Sequence, residues 1–225
     1  MSGMSAPVVI LISGRGSNLQ AILDAVRVDR LPIEVRAVIS NNPDAEGLRI
    51  AYAAGVPTEI IDHRAFAERA QFDSALQAAI DRHAPRLVLL AGFMRILGKT
   101  FIRHYAGRLL NIHPSLLPAF RGLNTHARAL AAGVTQHGAS VHFVTDDLDG
   151  GPNIIQATVP VLPEDSAATL AARVLQEEHR IYPLAIRWFV ENRLSIRDGQ
   201  VLLDGQRRPE QGLNPGIEDR MEAKQ

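Results

Sequence analysis

The stretch Val8-Val9-Ile10-Leu11-Ile12-Ser13-Gly14-Arg15-Gly16-Ser17-Asn18 decides how the rest of the chain is read. Apolar, largely β-branched residues run without polar interruption. Serine and two glycines then end the run, and a polar pair opens a segment that reads as a helix over 17–27. A continuous apolar run marks a strand buried on both faces, whereas a half-exposed strand alternates. A strand of that kind sits in a parallel sheet with helices above and below it. Residues 1–6, ahead of this strand at 8–13, read as a loose leader.

Working outward, strands are expected at 33–40, 58–61 and 86–91, and the end of a further strand near Leu110. Helices are expected at 46–54, stopped by Gly55, and at 64–83, stopped ahead of Pro85. The run Leu87–Ala91 is again continuously apolar. Strand, helix, strand in repetition predicts an α/β fold built on an open, mostly parallel twisted sheet with helices on both faces. Ligands of such sheets bind beyond the carboxyl ends of the strands, here the loops after Ile12, Ile39, Leu90 and Leu110.

The second half reads differently. Strands at 139–144 and 154–161, joined through Gly150-Gly151-Pro152, suggest antiparallel additions. A helix over 166–192 follows a Pro-Glu-Asp-Ser cap, and Tyr182-Pro183 is expected to kink or split it. A hairpin at 194–197 and 201–203 turns on Asp198-Gly199. One domain is expected over residues 1–206, with 207–225 as a polar, mobile tail.

Composition bounds the function. Lys plus Arg equals Asp plus Glu, 24 against 24 in 225 residues, so the chain lacks the basic excess of a protein that binds nucleic acid by bulk charge. With no cysteine, disulfides, thiolate zinc sites and a cysteine nucleophile are excluded. No apolar run approaches the ~20 residues of a membrane span, and the N-terminus does not read as a signal peptide. A cytoplasmic protein with small-molecule substrates, as monomer or homodimer, is the expectation.

Ser13 to Asn18 combines glycines, which allow close backbone approach, with a helix start, which offers free N–H groups and partial positive charge. Together these suit a phosphate. Leu19 and Gln20 stand where a dinucleotide fingerprint needs its third glycine, and Ser40-Asn41-Asn42 lacks the ribose-binding acid. No Gly-Lys-Ser/Thr comes after it either. A plain packing turn is the simpler reading of the same glycines.

Asn111 and His113 alternate onto one side of a strand at its carboxyl end, with Ile112 opposite. Pro114 and Pro118 stiffen the backbone after that strand. His63, His83, His104 and His137 read as surface or structural histidines, and His126 and His142 are intermediate. Asp146, Asp147 and Asp149 read as a solvated acidic loop, or as a turn that carries Asp149 into a cleft. No tight histidine–carboxylate cluster or Gly-x-Ser-x-Gly elbow occurs, so neither a required metal nor a serine hydrolase is expected.

The segments Ser13–Gln20, Ala91-Gly92-Phe93-Met94-Arg95-Ile96-Leu97, Asn111–Pro118 and His137–Pro152 occur in an order that resembles the phosphoribosylglycinamide formyltransferase family of purine biosynthesis. The likeness runs from about Val8 to Gln206, through Glu178 and Leu203-Asp204-Gly205-Gln206. Arg121-Gly122-Leu123-Asn124-Thr125-His126 departs from it, since bacterial members often carry Pro-Gly-x-His-Thr-His.

The resemblance implies a Rossmann-like formyltransferase fold. It also implies an enzyme that moves the formyl group of 10-formyltetrahydrofolate, as co-substrate, onto the amine of glycinamide ribonucleotide, in IMP synthesis. Asn111, His113 and Asp149 would be catalytic. Gly16, Ser17 and Asn18 would take the substrate phosphate and Glu178 the ribose. Met94, Arg95, Ile96 and Leu97, with Asn111 and Arg69, would meet the folate. The same Asn-x-His core occurs in methionyl-tRNA formyltransferase and formyltetrahydrofolate deformylase. Those enzymes, and a silent folate- or nucleotide-binding protein, are the alternatives.

Overall fold

The computed structural model describes residues 5–212, which fall into two compact units that part after Asn111. The first unit holds β1 (Ala6–Ile12), α1 (Ser17–Arg27), β2 (Ile33–Ser40), α2 (Gly47–Ala53), β3 (Thr58–Ile60), α3 (Arg69–Asp81), β4 (Leu87–Leu90) and α4 (Lys99–His104). Strand β5 (Leu109–His113) begins in it. Ala6, placed by the sequence reading in a loose leader, instead begins β1 and pairs with Ile33; residues 1–4 of that expected leader lie outside the described part.

The strand order is β3-β2-β1-β4-β5 within this unit, every pair parallel. β1 is therefore flanked by β2 on one side and β4 on the other, and chain order reverses between β1 and β4. That is the switch point at which open α/β sheets bind ligands. Val8 through Ile12 and Leu87 through Leu90 are buried. Helices cover both faces of such strands, as the unbroken apolar runs require. Leu19 and Ile22 of α1 and Phe72, Leu76 and Ile80 of α3 complete the core without exposure.

The expected helix over 64–83 is not continuous. His63–Ala65 form a 3-10 turn whose Arg64 N–H donates to Asp62, and the extended Phe66 and Glu68 separate it from α3. Helix α4 has no counterpart among the expected elements, nor has α5 (Thr125–Ala131) in the second unit.

The second unit holds the end of β5, α5, β6 (Gln136–Phe143), β7 (Asn153–Pro160), α6 (Ala167–Val190), and the hairpin β8 (Leu194–Arg197) and β9 (Gln200–Leu203). The strands of the large sheet run β3-β2-β1-β4-β5-β6-β7, and β6 and β7 are antiparallel, as expected of the C-terminal half. Helix α6 opens on a capping box between Ser166 and Thr169 and packs on β6 and β7. It runs through Pro183 without splitting, with Leu170, Val174, Ile181 and Tyr182 inside. The β8–β9 turn has Asp198 and Gly199 both at positive φ, as a type I′ hairpin requires.

The described fold continues past residue 206. Pro209–Gln211 make a 3-10 turn, and the buried Gln211 amide donates to Ile154 O at 3.0 Å and Val201 O at 3.1 Å. The remainder of the expected tail, 213–225, lies outside the described residues. No helix among the described residues is long and apolar enough to cross a membrane.

Candidate active site

In the first unit the loop after β1 is built by close approach of two glycines. Gly16 is left-handed (φ 80°), and a Cβ there would stand 2.6 Å from the Cα of Gly47. Gly47 N–H in turn donates to Gly14 O at 3.0 Å. Side chains on either residue would push the loop and α2 apart. Gly16 is also the N-cap of α1, so no side-chain cap fills the helix's first turn, where Ser17 and the buried Asn18 come next. The geometry retains the anion-attracting features read from the sequence.

Ser13 ties this loop to its neighbours. Its hydroxyl lies 2.5 Å from Asn41 Oδ1 and accepts the Met94 N–H at 2.8 Å. Glycine loop and Met94–Leu97 loop are thus bonded to each other at the switch point. Met94 and Ile96 stand exposed, while Leu97 is buried and the Arg95 guanidinium stacks 4.9 Å over the Phe72 ring. Asn111 pairs in register with Leu90, the last residue of β4, which leads into that same loop. Arg69 opens α3 and lines a cavity of about 220 Å³ with Asp73, Ser74, Gly98 and Lys99.

In the second unit His113 ends β5, buried, and faces Asp149. Nδ1 lies 3.4 Å from Asp149 Oδ2, and Nε2 lies 3.1 Å from the Phe120 carbonyl oxygen. Both ring nitrogens therefore face acceptors. A doubly protonated ring donates to both, and a neutral ring to one. Asp149 Oδ2 also accepts the Gly122 N–H at 2.9 Å. Asp149 adopts a left-handed conformation (φ 49°), which aspartate tolerates better than most residues.

His142 approaches the same carboxylate, Nε2 to Oδ1 at 3.8 Å. Burial first, with the His113 and Arg121 charges adding to it, pushes the His142 imidazole down to about 4. Its Nδ1, 2.9 Å from Phe143 O, is then the protonated nitrogen. The Phe143 carbonyl and the Asp149 carboxylate act the other way, but burial prevails and His142 is neutral near pH 7. Glu178 is buried on α6.

The loop after His113 is braced from inside. Ser140 Oγ donates to Ser115 O at 2.7 Å and accepts from Leu117 N at 3.0 Å and Gln156 Nε2 at 2.7 Å. His137, almost fully buried, packs edge-on against the His126 and Phe120 rings. Burial, with His126 and His113 nearby, lowers it to about 4, against a bond with Pro114 that acts the other way. Ser13, Gly122, Phe120 and Ser140 are site residues that sequence reasoning does not single out. The available signal for Ser13 is a polar residue that closes an apolar strand run, and for Ser140 a small polar residue within a strand; for Phe120 and Gly122, which contribute main-chain groups, there is none.

A formyl transferase family model matches residues 6–186, four-fifths of the chain. The chain belongs to the formyl transferase family. This formyl transferase is 55% identical over 205 residues to the phosphoribosylglycinamide formyltransferase of Escherichia coli K12, covering 91% of this chain and 97% of that one. It is 47% identical over 182 residues to the human trifunctional purine biosynthetic protein adenosine-3, covering 81% of this chain and 18% of that much longer protein. The solved phosphoribosylglycinamide formyltransferase of Coxiella burnetii, in complex with CHES, superposes with a TM-score of 0.86 at 55% identity, over 90% of this chain and 95% of that one. Membership implies a folate-derived co-substrate and small-molecule substrates. It also accounts for the mostly parallel seven-stranded sheet, the fold expected from the first strand and its glycine turn.

Proposed function

We propose that this formyltransferase carries the formyl group of 10-formyltetrahydrofolate to the amine of 5′-phosphoribosylglycinamide, in the de novo route to IMP. The products are the N-formyl ribonucleotide and tetrahydrofolate. The observation that carries the reading is the buried His113–Asp149 pair, with the Gly122 N–H on the carboxylate, in a chain of this family. Likeness to the Escherichia coli and Coxiella burnetii enzymes favours the ribonucleotide amine over tRNA or water as acceptor.

In this reading the amine attacks the formyl carbon and the carbonyl oxygen becomes an oxyanion. The Asn111 amide and His113 Nε2–H donate to it. One well-placed donor of this kind contributes roughly 3–4 kcal/mol to the barrier reduction. His113 Nε2 faces Phe120 O, so the substrate oxygen has to replace that carbonyl as acceptor. Asp149 stabilises the protonated ring from the Nδ1 side. As the tetrahedral species collapses, folate N10 gains a proton and the former amine loses one. His113, or a water held by Asp149, relays it.

Gly16, Ser17 and Asn18 hold the phosphate at the start of α1, and Glu178 takes the ribose hydroxyls. Met94, Arg95, Ile96 and Leu97 receive the folate beside Asn111. Arg69, with Lys99 across its cavity, suits the acidic tail of the folate. The enzyme works in the cytoplasm and needs no metal.

The test is a tetrahydrofolate-release assay on purified protein with chelator present. Stoichiometric release dependent on the ribonucleotide supports the reading. Release with water alone, or only with charged tRNA, refutes the acceptor. Restoration of activity only on adding a divalent metal refutes the metal-free mechanism.

A further inference from the structure

The loop between β5 and α5 meets the His113–Asp149 pair through its main chain alone: Phe120 O on His113 Nε2, and Gly122 N–H on Asp149 Oδ2. Main-chain groups are only as well placed as the loop that carries them, so the contacts that hold this loop matter to the pair.

Two arginines hold it. Arg128, on α5, donates from Nη1 to Arg121 O at 2.6 Å and to Leu123 O at 3.4 Å, and its guanidinium lies 5.7 Å from the centre of the Phe120 ring. Arg121 reaches the opposite way, Nη1 to Asp147 Oδ2 at 2.8 Å. The Arg121 carbonyl and the Gly122 N–H belong to one planar peptide unit. Arg128 grips its oxygen, Asp149 takes its hydrogen, and the Arg121 side chain ties its flank to the loop that carries Asp149.

Asp147 is itself placed. Its side chain lies across Gly150, where any Cβ would collide with the carboxylate, and its main-chain oxygen accepts the Gly150 N–H at 3.0 Å. The contacts close a ring: Arg121 to Asp147, along the chain to Asp149, and back through the Gly122 N–H.

We propose that Arg121 is a positioning residue for formyl transfer, anchored on Asp147 and fixing the peptide unit whose N–H holds the Asp149 carboxylate toward His113. It acts through Asp149, so its removal lowers turnover and leaves substrate affinity alone. The proposal rests on the formyl-transfer reading of this site.

The experiment compares Arg121→Gln, Arg121→Lys, Asp147→Ala and the double variant Arg121→Gln/Asp147→Ala in steady state, with both substrates varied. An exposed ion pair of this kind sets the scale at about two- to fivefold in kcat, fivefold being about 1 kcal/mol. Arg121→Gln and Asp147→Ala are each expected to lose that much, with both KM values within about twofold of the parent. The double variant should be no slower than the worse single one, and Arg121→Lys should regain at least about half of the loss. Unchanged kcat in Arg121→Gln, losses that multiply in the double variant, or a rise in KM at constant kcat each overturn the proposal. Asp147 is an exposed loop residue, so Asp147→Ala carries the test should Arg121→Gln fold poorly. A parent protein that transfers no formyl group to the ribonucleotide overturns the underlying reading instead.

Discussion

Ser140→Ala should cost far more than the loss of one hydroxyl suggests. Ser140 has no exposed surface, and its Oγ makes three hydrogen bonds of 2.7–3.0 Å with Ser115, Leu117 and Gln156. Alanine strips the acceptor from Leu117 N–H and the donor from Ser115 O. The Gln156 amide keeps its bond to Leu117 O at 2.9 Å, so that loss is partial. Each buried group left without a partner costs about 1–3 kcal/mol, and some relaxation returns part of it. The expected loss is therefore about 2–4 kcal/mol, or about 5–15 °C in melting temperature for a chain of this size. Urea titration monitored by circular dichroism measures it, with the slope checked for constancy. Ser74→Ala is the control, because Ser74 bonds Ala70 O on an exposed helix turn; it should stay within about 0.5 kcal/mol. Ser115 N–H also bonds His113 O at 2.9 Å, so turnover of the Ser140 variant should fall at temperatures where it is still folded. A loss below about 1 kcal/mol would mean that water or the loop replaces these bonds readily, and the brace on the active-site loop would not exist.

Asp149→Asn preserves the left-handed backbone and removes the charge, and kcat should fall at least about a hundredfold with little change in melting temperature; parental turnover would remove Asp149 from the mechanism. His137 is held at about 4 by burial against an ordinary 6.5, so it is neutral in the fold. The unfolded chain binds the extra proton first, so the stability it contributes is present above about pH 6.5 and lost as pH falls toward 4, at most about 3 kcal/mol. His137→Gln should flatten the stability profile in that window, and an unchanged profile would show that other groups set it. Gly138→Ala puts a Cβ onto the Ala157 carbonyl of the paired strand and against Leu116, and should destabilise by about 2–4 kcal/mol; denaturation at the parental urea midpoint would contradict that packing.

How far the fold and the site can be read in the sequence depends on the range of the interactions involved. β1, α1 and β2 are legible because an unbroken apolar run, a glycine turn and a periodic segment are local signals. The helix expected over 64–83 fails because apolar spacing continues through a place where Asp62 caps Arg64 and Glu68 is extended. Helices α4 and α5 have six and seven residues, too few turns for a period to show. In the site, Asn111 and His113 emerge from strand alternation, but Asp149 enters only through family resemblance. Its approach depends on a bulge in β6 between Val141 and His142, a left-handed Asp149 and the glycines after it. No short-range pattern encodes that combination. The contacts furthest from view are those of Phe120 O, Gly122 N–H and Met94 N–H, since almost every residue carries the same main-chain groups and side-chain identity says nothing of their aim. The side chains that aim them are the visible trace. Ser13 orients Met94, and Arg121 and Arg128 orient Gly122 and Phe120. Polar residues at strand ends and arginines in active-site loops therefore mark where main-chain chemistry is being held, even when they touch no substrate.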